Sequence, residues 1–278
     1  MKLARYRREG VVGIGEVSGQ EVREVLFADR DQVGVDLLVR HMEGEGNRGR
    51  LLHLDEVEIL SPMARPSKIL CIGLNYLDHV RETGAEPPAS PVLFAKYPNS
   101  LVGHAQPITF DQASSSKVDF EAELAAVIGR RCRNVKEADA LGYVFGYTVA
   151  NDVSARDAQF ENSQWVRGKT FDTFCPLGPW VVTADELGDP QDLRLRCWVG
   201  DSLYQDGRTA DMIFDVAHLV SYLSRTMTLE PGDLLLTGTP WGVGFTRTPP
   251  VFLKDGDVVR IAIDRIGELI NPVSVTSS

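Results

Sequence analysis

The sequence is short of the residues that mark secreted, membrane-spanning or nucleic-acid-binding proteins. Its 278 residues include only four cysteines, Cys71, Cys132, Cys175 and Cys197, and no two form a CxxC pair. That excludes a disulfide framework and offers no thiolate zinc motif. We therefore expect four reduced thiols in a cytoplasmic protein. No apolar run approaches the ~18 residues of a spanning helix. The stretch Met1–Gly10 is charged with no apolar run behind it, so no secretory signal is expected. Positive charge is the scarcer sign, with 29 Lys and Arg against 39 Asp and Glu and a formal net charge of −10. Binding a phosphate backbone or docking on anionic lipid needs the opposite balance. Neither nucleic acid nor a membrane is an expected partner. A small anionic substrate stays open, because a metal or a local basic pocket can reverse the field at one place.

What is present is ordinary for a globular chain: 43% hydrophobic and 24% charged residues. Short segments with strand character dominate. Val11–Val17, Val33–Val39 and Asp55–Leu60 read as strands of a small β-rich unit, and Gly13-Ile14-Gly15 reads as a β-turn within it. A dinucleotide fingerprint is a poor reading there, since the third glycine is misplaced and no helical pattern follows. Ser61-Pro62-Met63-Ala64-Arg65-Pro66 is a stiff connector, which places a boundary between residues 1–64 and 65–278. Further strands are expected at Lys68–Gly73, Pro91–Lys96, Val118–Ile128, Gly142–Ala150, Trp180–Thr183, Leu193–Val199, Leu234–Thr237 and Val258–Ile263. Helices are expected at Asn75–Thr83, Glu137–Leu141 and, as the longest, Met212–Thr226. The sum is an α+β, β-dominated fold without the strand–helix alternation of a doubly wound sheet.

Carboxylates stand where a strand should be apolar. In Val118–Ile128, alternation puts Phe120, Ala122 and Leu124 on one face and Asp119, Glu121 and Glu123 on the other, and the strand then runs into Ala125–Ile128. One reading is a solvated acidic face. The other is a metal site, because like charges on a buried face need a counter-ion. Asp152 closes the apolar run Tyr147–Asn151 and reads either as a helix cap or as a third oxygen ligand. Three carboxylates with no Cys or His beside them favour a hard ion, Mg²⁺ or Mn²⁺, with Ca²⁺ as a further candidate.

His79 and Glu82 are i,i+3 neighbours if their segment is helical, which makes them either an exposed ion pair or an oriented general base. Gly73 and Gly84 bracket the segment as lid hinges would. Lys169 reads as a surface group, a partner for a substrate carboxylate, or a Schiff-base lysine. Arg156 and Gln159 read as a solvated turn or as anion contacts. Thr239, after the strand at Leu234, ends a tight glycine turn suited to holding an anion.

Taken in order, Gly73-Leu74-Asn75-Tyr76 with Asp78-His79, Asp119–Leu124, Gly146–Asp157, Gly168–Phe174 and Pro231–Pro240 resemble the fumarylacetoacetate hydrolase family over roughly Lys68 to Pro272. The resemblance implies a mixed β-sandwich roll catalytic domain behind a small β-rich N-terminal domain, and a homodimer. It implies a divalent metal on Glu121, Glu123 and Asp152, and a catalytic dyad of His79 and Glu82 on a lid. It makes Lys169 the stabiliser of a developing enolate and assigns Arg156, Gln159, Thr239 and Tyr76 to substrate. No organic cofactor is implied. Departures from the family's usual wording, Asn162-Ser163 before Gln164-Trp165, Thr170 after Lys169 and Phe94-Ala95-Lys96-Tyr97-Pro98-Asn99-Ser100 in place of a more proline-rich stretch, fall near expected substrate contacts.

The expected activity is metal-dependent hydrolysis of a carbon–carbon bond in a 2,4-dioxo acid of acylpyruvate or fumarylpyruvate type. Oxaloacetate decarboxylation, or isomerisation or decarboxylation of 2-hydroxyhepta-2,4-diene-1,7-dioate-type substrates, would use the same enolate. Two alternatives come from other classes: a Schiff-base aldolase built on Lys169, and a non-catalytic metal-binding protein.

Overall fold

A computed structural model describes residues 1–28 and 37–276. Strands dominate, as expected. A long mixed sheet runs in the order Asn47–His53, Glu21–Leu26, Val11–Ser18, Lys2–Arg8, Cys175–Thr183, Val144–Asn151, Ala122–Ile128, Leu234–Leu236, Ile69–Gly73, Val92–Lys96. Most neighbours are antiparallel, but Leu234–Leu236 runs parallel to Ile69–Gly73. A second sheet of five strands, from Ser202–Arg208 to Ile108–Asp111, packs across the long one. The largest apolar cluster lies between them, with Leu124, Ala126, Val149, Leu195 and Ile261 from their inner faces. The long helix Val216–Thr226 closes one end of that core, and the Asp215 carboxylate caps it by accepting the His218 amide.

The front strands belong to the long sheet by hydrogen bonding: Lys2 and Leu3 pair with Val182 and Val181. Glu58–Leu60 returns to pair with Lys2–Arg8.

Several expectations change. Gly13 and Gly15 lie inside the strand Val11–Ser18, where a β-turn was expected. Their missing side chains admit neighbours: a Cβ on Gly13 would sit 2.9 Å from the Tyr6 ring, and one on Gly15 2.5 Å from Val22. Of the strand expected at Val33–Val39, Val33–Asp36 lies outside the described residues. Leu37–Val39 belongs to the helix Leu37–Met42, with Leu38 turned into an apolar cluster. The longest helix starts at Val216 and not at Met212, because Asp215 supplies the cap.

The strand expected over Val118–Ile128 is two strands, Val118–Asp119 and Ala122–Ile128. Between them, side chains take the backbone amides that a ladder would have used. Phe120 N–H donates to Asp119 Oδ1, Glu121 N–H to Asn151 Oδ1 and Ala122 N–H to Gln205 Oε1. Asp119 is thereby turned out of line with Glu121 and Glu123.

Candidate active site

The strand Ala122–Ile128 pairs antiparallel with Val144–Asn151, with Ala122 opposite Asn151. Antiparallel pairing brings the start of one strand beside the end of the other. Glu121, one residue before the first strand, therefore meets Asp152, one residue after the second, and the Asp152 amide donates to the Glu121 carbonyl at 2.9 Å. Glu123 sits two residues along. Each of Glu121, Glu123 and Asp152 offers one oxygen within 4.8 Å of the others, and all three are buried.

Three buried cations face this cluster. Lys169 Nζ lies 2.7 Å from both Glu121 Oε2 and Asp152 Oδ2. Lys96 Nζ lies 2.5 Å from Asp152 Oδ1 and donates to the Val153 carbonyl at 3.1 Å. Arg156 stands 2.7 Å from Glu121 Oε1 and 2.8 Å from Asp119 Oδ2. Burial alone would push Glu121 up; Lys169 and then Arg156 outweigh it and hold the carboxyl well below the usual range. Burial works against the Lys169 charge, but Asp152 and Glu121 hold it protonated. Glu123 has no such cation. Burial, then Asp152 and Glu121, push its carboxyl well up, and the Gly238 amide donates to it at 2.7 Å. Gly238 sits at φ +98°, and a Cβ there would come within 2.8 Å of Asn75.

Four buried carboxylates, Asp119 included, thus meet three cations, and the excess falls on Glu123. An all-oxygen donor set with uncompensated negative charge suits a hard divalent cation. The residues present fit such an ion.

Across the cavity, the helix Leu77–Thr83 carries His79 and Glu82 and ends at Gly84 in the left-handed region, φ 69°. His79 Nδ1 lies 2.7 Å from Glu82 Oε1. The carboxylate only accepts, so Nδ1 is the donor in this pair and Nε2 is the ring nitrogen directed away from Glu82.

A cavity of about 220 Å³ brings most of the expected residues together: His79, Glu121, Glu123, Arg156, Gln159, Lys169 and Thr239 all line it. Glu82 and Asp152 stand one layer back, against His79 and Lys169. Tyr76 is fully buried and is not part of the lining. The Thr239 hydroxyl donates to the Ala122 carbonyl at 2.9 Å and accepts from Gln205 at 2.7 Å, which leaves it no proton for a substrate. Apart from Thr83 the rest of the wall is apolar: Phe94 meets Trp165 edge-on at 5.5 Å, and Phe160 meets Phe245 at 5.7 Å. Gly73 makes room for Trp165, since a Cβ there would come within 2.4 Å of the indole.

Sequence reasoning placed the segment Phe94–Ser100 near the substrate but missed Lys96 as the counter-ion of Asp152, and it missed the pairing of Asp119 with Arg156. A lysine at the end of an apolar strand reads as an exposed edge residue. The one available signal was the shortage of positive charge beside so many predicted buried acids.

The fold and the site define an enzyme class: a strand-built scaffold whose carboxylate cluster suits a divalent cation and faces an oriented histidine. The family model described as fumarylacetoacetate (FAA) hydrolase C-terminal matches residues 68–274, and the chain belongs to that family of enzymes. It is 50% identical over 225 residues to the mitochondrial oxaloacetate tautomerase fahd2 of Xenopus laevis, covering 80% of this chain and 70% of that one. Among solved structures it is similar to a 2-hydroxyhepta-2,4-diene-1,7-dioate isomerase from Mycobacterium marinum, at 40% identity, TM-score 0.82 and 99% coverage of each chain. It is also similar to a maleylpyruvate hydrolase from Sphingobium sp. SYK-6 in complex with manganese(II) and pyruvate, at 32% identity, TM-score 0.82 and 99% coverage of each chain. No described helix is long and apolar enough to cross a membrane.

Proposed function

We propose that this enzyme acts on a small 2-oxo acid through its enolate, with oxaloacetate as substrate and keto–enol tautomerisation as the reaction. The carrying observation is that His79, oriented by Glu82, lines the same small cavity as Glu121, Glu123 and Lys169. The likeness to oxaloacetate tautomerases at 44 to 50% identity favours proton transfer as the first reaction to test.

We assign Glu121, Glu123 and Asp152 as ligands of Mg²⁺ or Mn²⁺, with Ca²⁺ as a weaker fit. When bound, the ion would polarise the 2-oxo carbonyl as a Lewis acid. His79 Nε2 removes a proton from C3 while the Lys169 ammonium offsets the charge gathering on the 2-oxo oxygen. Return of that proton to the oxygen gives the enol, and return to C3 gives the keto form. Arg156 and Gln159 hold the substrate carboxylate. Thr239 shapes the wall, and Tyr76 supports the start of the His79 helix. A Schiff-base role for Lys169 needs a neutral amine, and its two carboxylate partners oppose one.

The second reading is the hydrolysis of a 2,4-dioxo acid, which the aromatic walls favour because they offer an acyl group an apolar surface. There His79 takes a proton from water and the hydroxide adds at C4. The C3–C4 bond then breaks with its electron pair passing to the enolate, and His79 returns the proton to C3. We further propose the division at residue 64, a homodimer, and a cytoplasmic location consistent with free cysteines; the Xenopus relative is named as mitochondrial.

The test gives full-length protein with Mn²⁺ oxaloacetate and acetylpyruvate in separate tubes, each with an EDTA and a protein-free control. Loss of enol absorbance reports tautomerisation, and product NMR reports pyruvate. Accelerated enol loss without pyruvate supports the leading reading. Acetate plus pyruvate from acetylpyruvate moves the assignment to the hydrolase, and pyruvate from oxaloacetate alone moves it to decarboxylation. Turnover that survives EDTA overturns the metal assignment.

A further inference from the structure

Glu82 is gripped from two sides. Its Oε1 accepts from His79 Nδ1 at 2.7 Å. The loop 241–247, far away in sequence, holds the rest of the carboxylate. The Gly242 amide reaches Oε1 and Oε2 at 3.0 and 2.9 Å, and the Thr246 hydroxyl lies 2.8 Å from Oε2. That hydroxyl also lies 3.0 Å from the Val243 carbonyl and has a single proton to give. The shorter contact and the carboxylate's charge direct it to Glu82.

The same loop serves the opposite wall. The Gly244 and Phe245 amides donate to Asp119 Oδ1 and Oδ2 at 2.8 and 3.0 Å, and Asp119 accepts from Arg156 Nε at 2.9 Å. The Phe245 ring lies 4.3 Å from the Arg156 guanidinium. Arg247 pins the end of the loop, with its guanidinium 5.2 Å from the Trp241 ring and an NH2 bond to the Gly242 carbonyl at 3.0 Å. One loop therefore carries donors to two carboxylates, one behind the imidazole and one behind the guanidinium.

We propose that Thr246 is a positioning residue for the reaction: its hydroxyl, with the Gly242 amide, fixes the Glu82 carboxylate so that one tautomer of His79 faces the cavity. The proposal rests on the reading of His79 as the acid–base group. The terminal torsion of a glutamate is broad, so a carboxylate held only by one imidazole turns easily. Two donors on its far side remove that freedom and keep Oε1 on Nδ1. Thr246 does not line the cavity, so it acts only through Glu82. Partners that orient metal-ligating histidines commonly change activity by about 10- to 100-fold when removed, and a histidine that moves a proton depends on its orientation in the same way.

The experiment compares Thr246→Val, which keeps the shape and loses the hydroxyl, with Thr246→Ser, which keeps the hydroxyl. In the full-length metal-loaded enzyme the valine variant should lose about tenfold or more in kcat with KM within about twofold, and serine should recover most of the loss. The ¹⁵N shifts of the His79 ring, read without substrate, should show protonated Nδ1 in wild type and mixed tautomers in the valine variant. Thr246→Ala gives the same two readouts if valine does not fold. Wild-type kcat with unchanged ring shifts in valine or alanine overturns the proposal. So does an equal loss in serine and valine alongside a matching fall in Tm, which marks Thr246 as packing only. If the wild type turns over neither substrate, the proposed function falls, while the ring shifts still decide the role of Thr246.

Discussion

Glu121, Glu123 and Asp152 stand at the ends of paired strands in the protein interior, whereas His79 and Glu82 stand on a seven-residue helix tied to a loop by side-chain bonds. Strand register fixes the first group: Ala122 opposite Asn151 sets where the carboxylates meet. Among the described residues no strand register holds the second; its helix is anchored at the start, where Asn75 bonds the Thr237 and Phe214 carbonyls and Tyr76 bridges Met212. A helix this short is marginal by itself, and its aim depends on what Glu82 touches. The charged floor should therefore govern stability and ion affinity, and the helix should govern turnover.

The sharpest way to separate the two is His79→Ala. Turnover should fall by about 10²- to 10⁴-fold, the usual weight of a general acid–base group. Mn²⁺ affinity by calorimetry should stay at the wild-type value. Loss of both together would mean that the two halves are one unit.

Lys96→Met attacks the other half. It leaves Asp152 buried with one cation fewer, which should cost about 3–5 kcal/mol. The melting temperature should drop by roughly 10 °C in calorimetry. Glu82→Gln, made on the helix, should barely move it; equal drops would dissolve the distinction.

Glu123→Gln should act with the opposite sign on stability. In metal-free protein, burial and then the neighbouring acids hold the Glu123 carboxyl above its ordinary value. The folded state then keeps a proton that the unfolded chain releases. Stability falls as pH rises from the ordinary glutamate range towards the raised folded value. Glutamine removes this slope and should add on the order of 1 kcal/mol at neutral pH, while ion binding is lost. Urea unfolding at several pH values reads the slope, and a steeper slope in the variant would refute the crowding.

The smallest effect concerns the thiols behind the floor. Burial first pushes Cys175 up to about 12, and Cys71 is raised well above the ordinary thiol value. At neutral pH both stay protonated, so a thiol reagent should modify them no faster than the protein unfolds. Fast labelling of either would show that the floor opens.

Much of the scaffold was legible because its strands are rich in β-branched residues: Val258–Ile263, with four Val or Ile in six positions, is a strand over the range its pattern marks. Glu121, Glu123 and Asp152 were legible as acids in apolar company. The break at Phe120–Glu121 was not, because its cause lies in side chains 30 and 83 residues away, Asn151 and Gln205. Lys96 and the Asp119–Arg156 pair were hidden for the same reason: a charge reads as surface until its distant partner is known. Thr246 gave no local signal, since a threonine in a loop is unremarkable until Glu82 is beside it.

The short strand Leu234–Leu236 lies between Ala122–Ile128 and Ile69–Gly73, both made far earlier in the chain. During synthesis those two strands leave the ribosome well before the residues that join them. Until Leu236 emerges, each presents an open edge of unpaired amides and carbonyls, the form in which strands recruit wrong neighbours. The apolar run at Ala125–Ile128 makes that interval hazardous, and a chain truncated before residue 234 would stay in it.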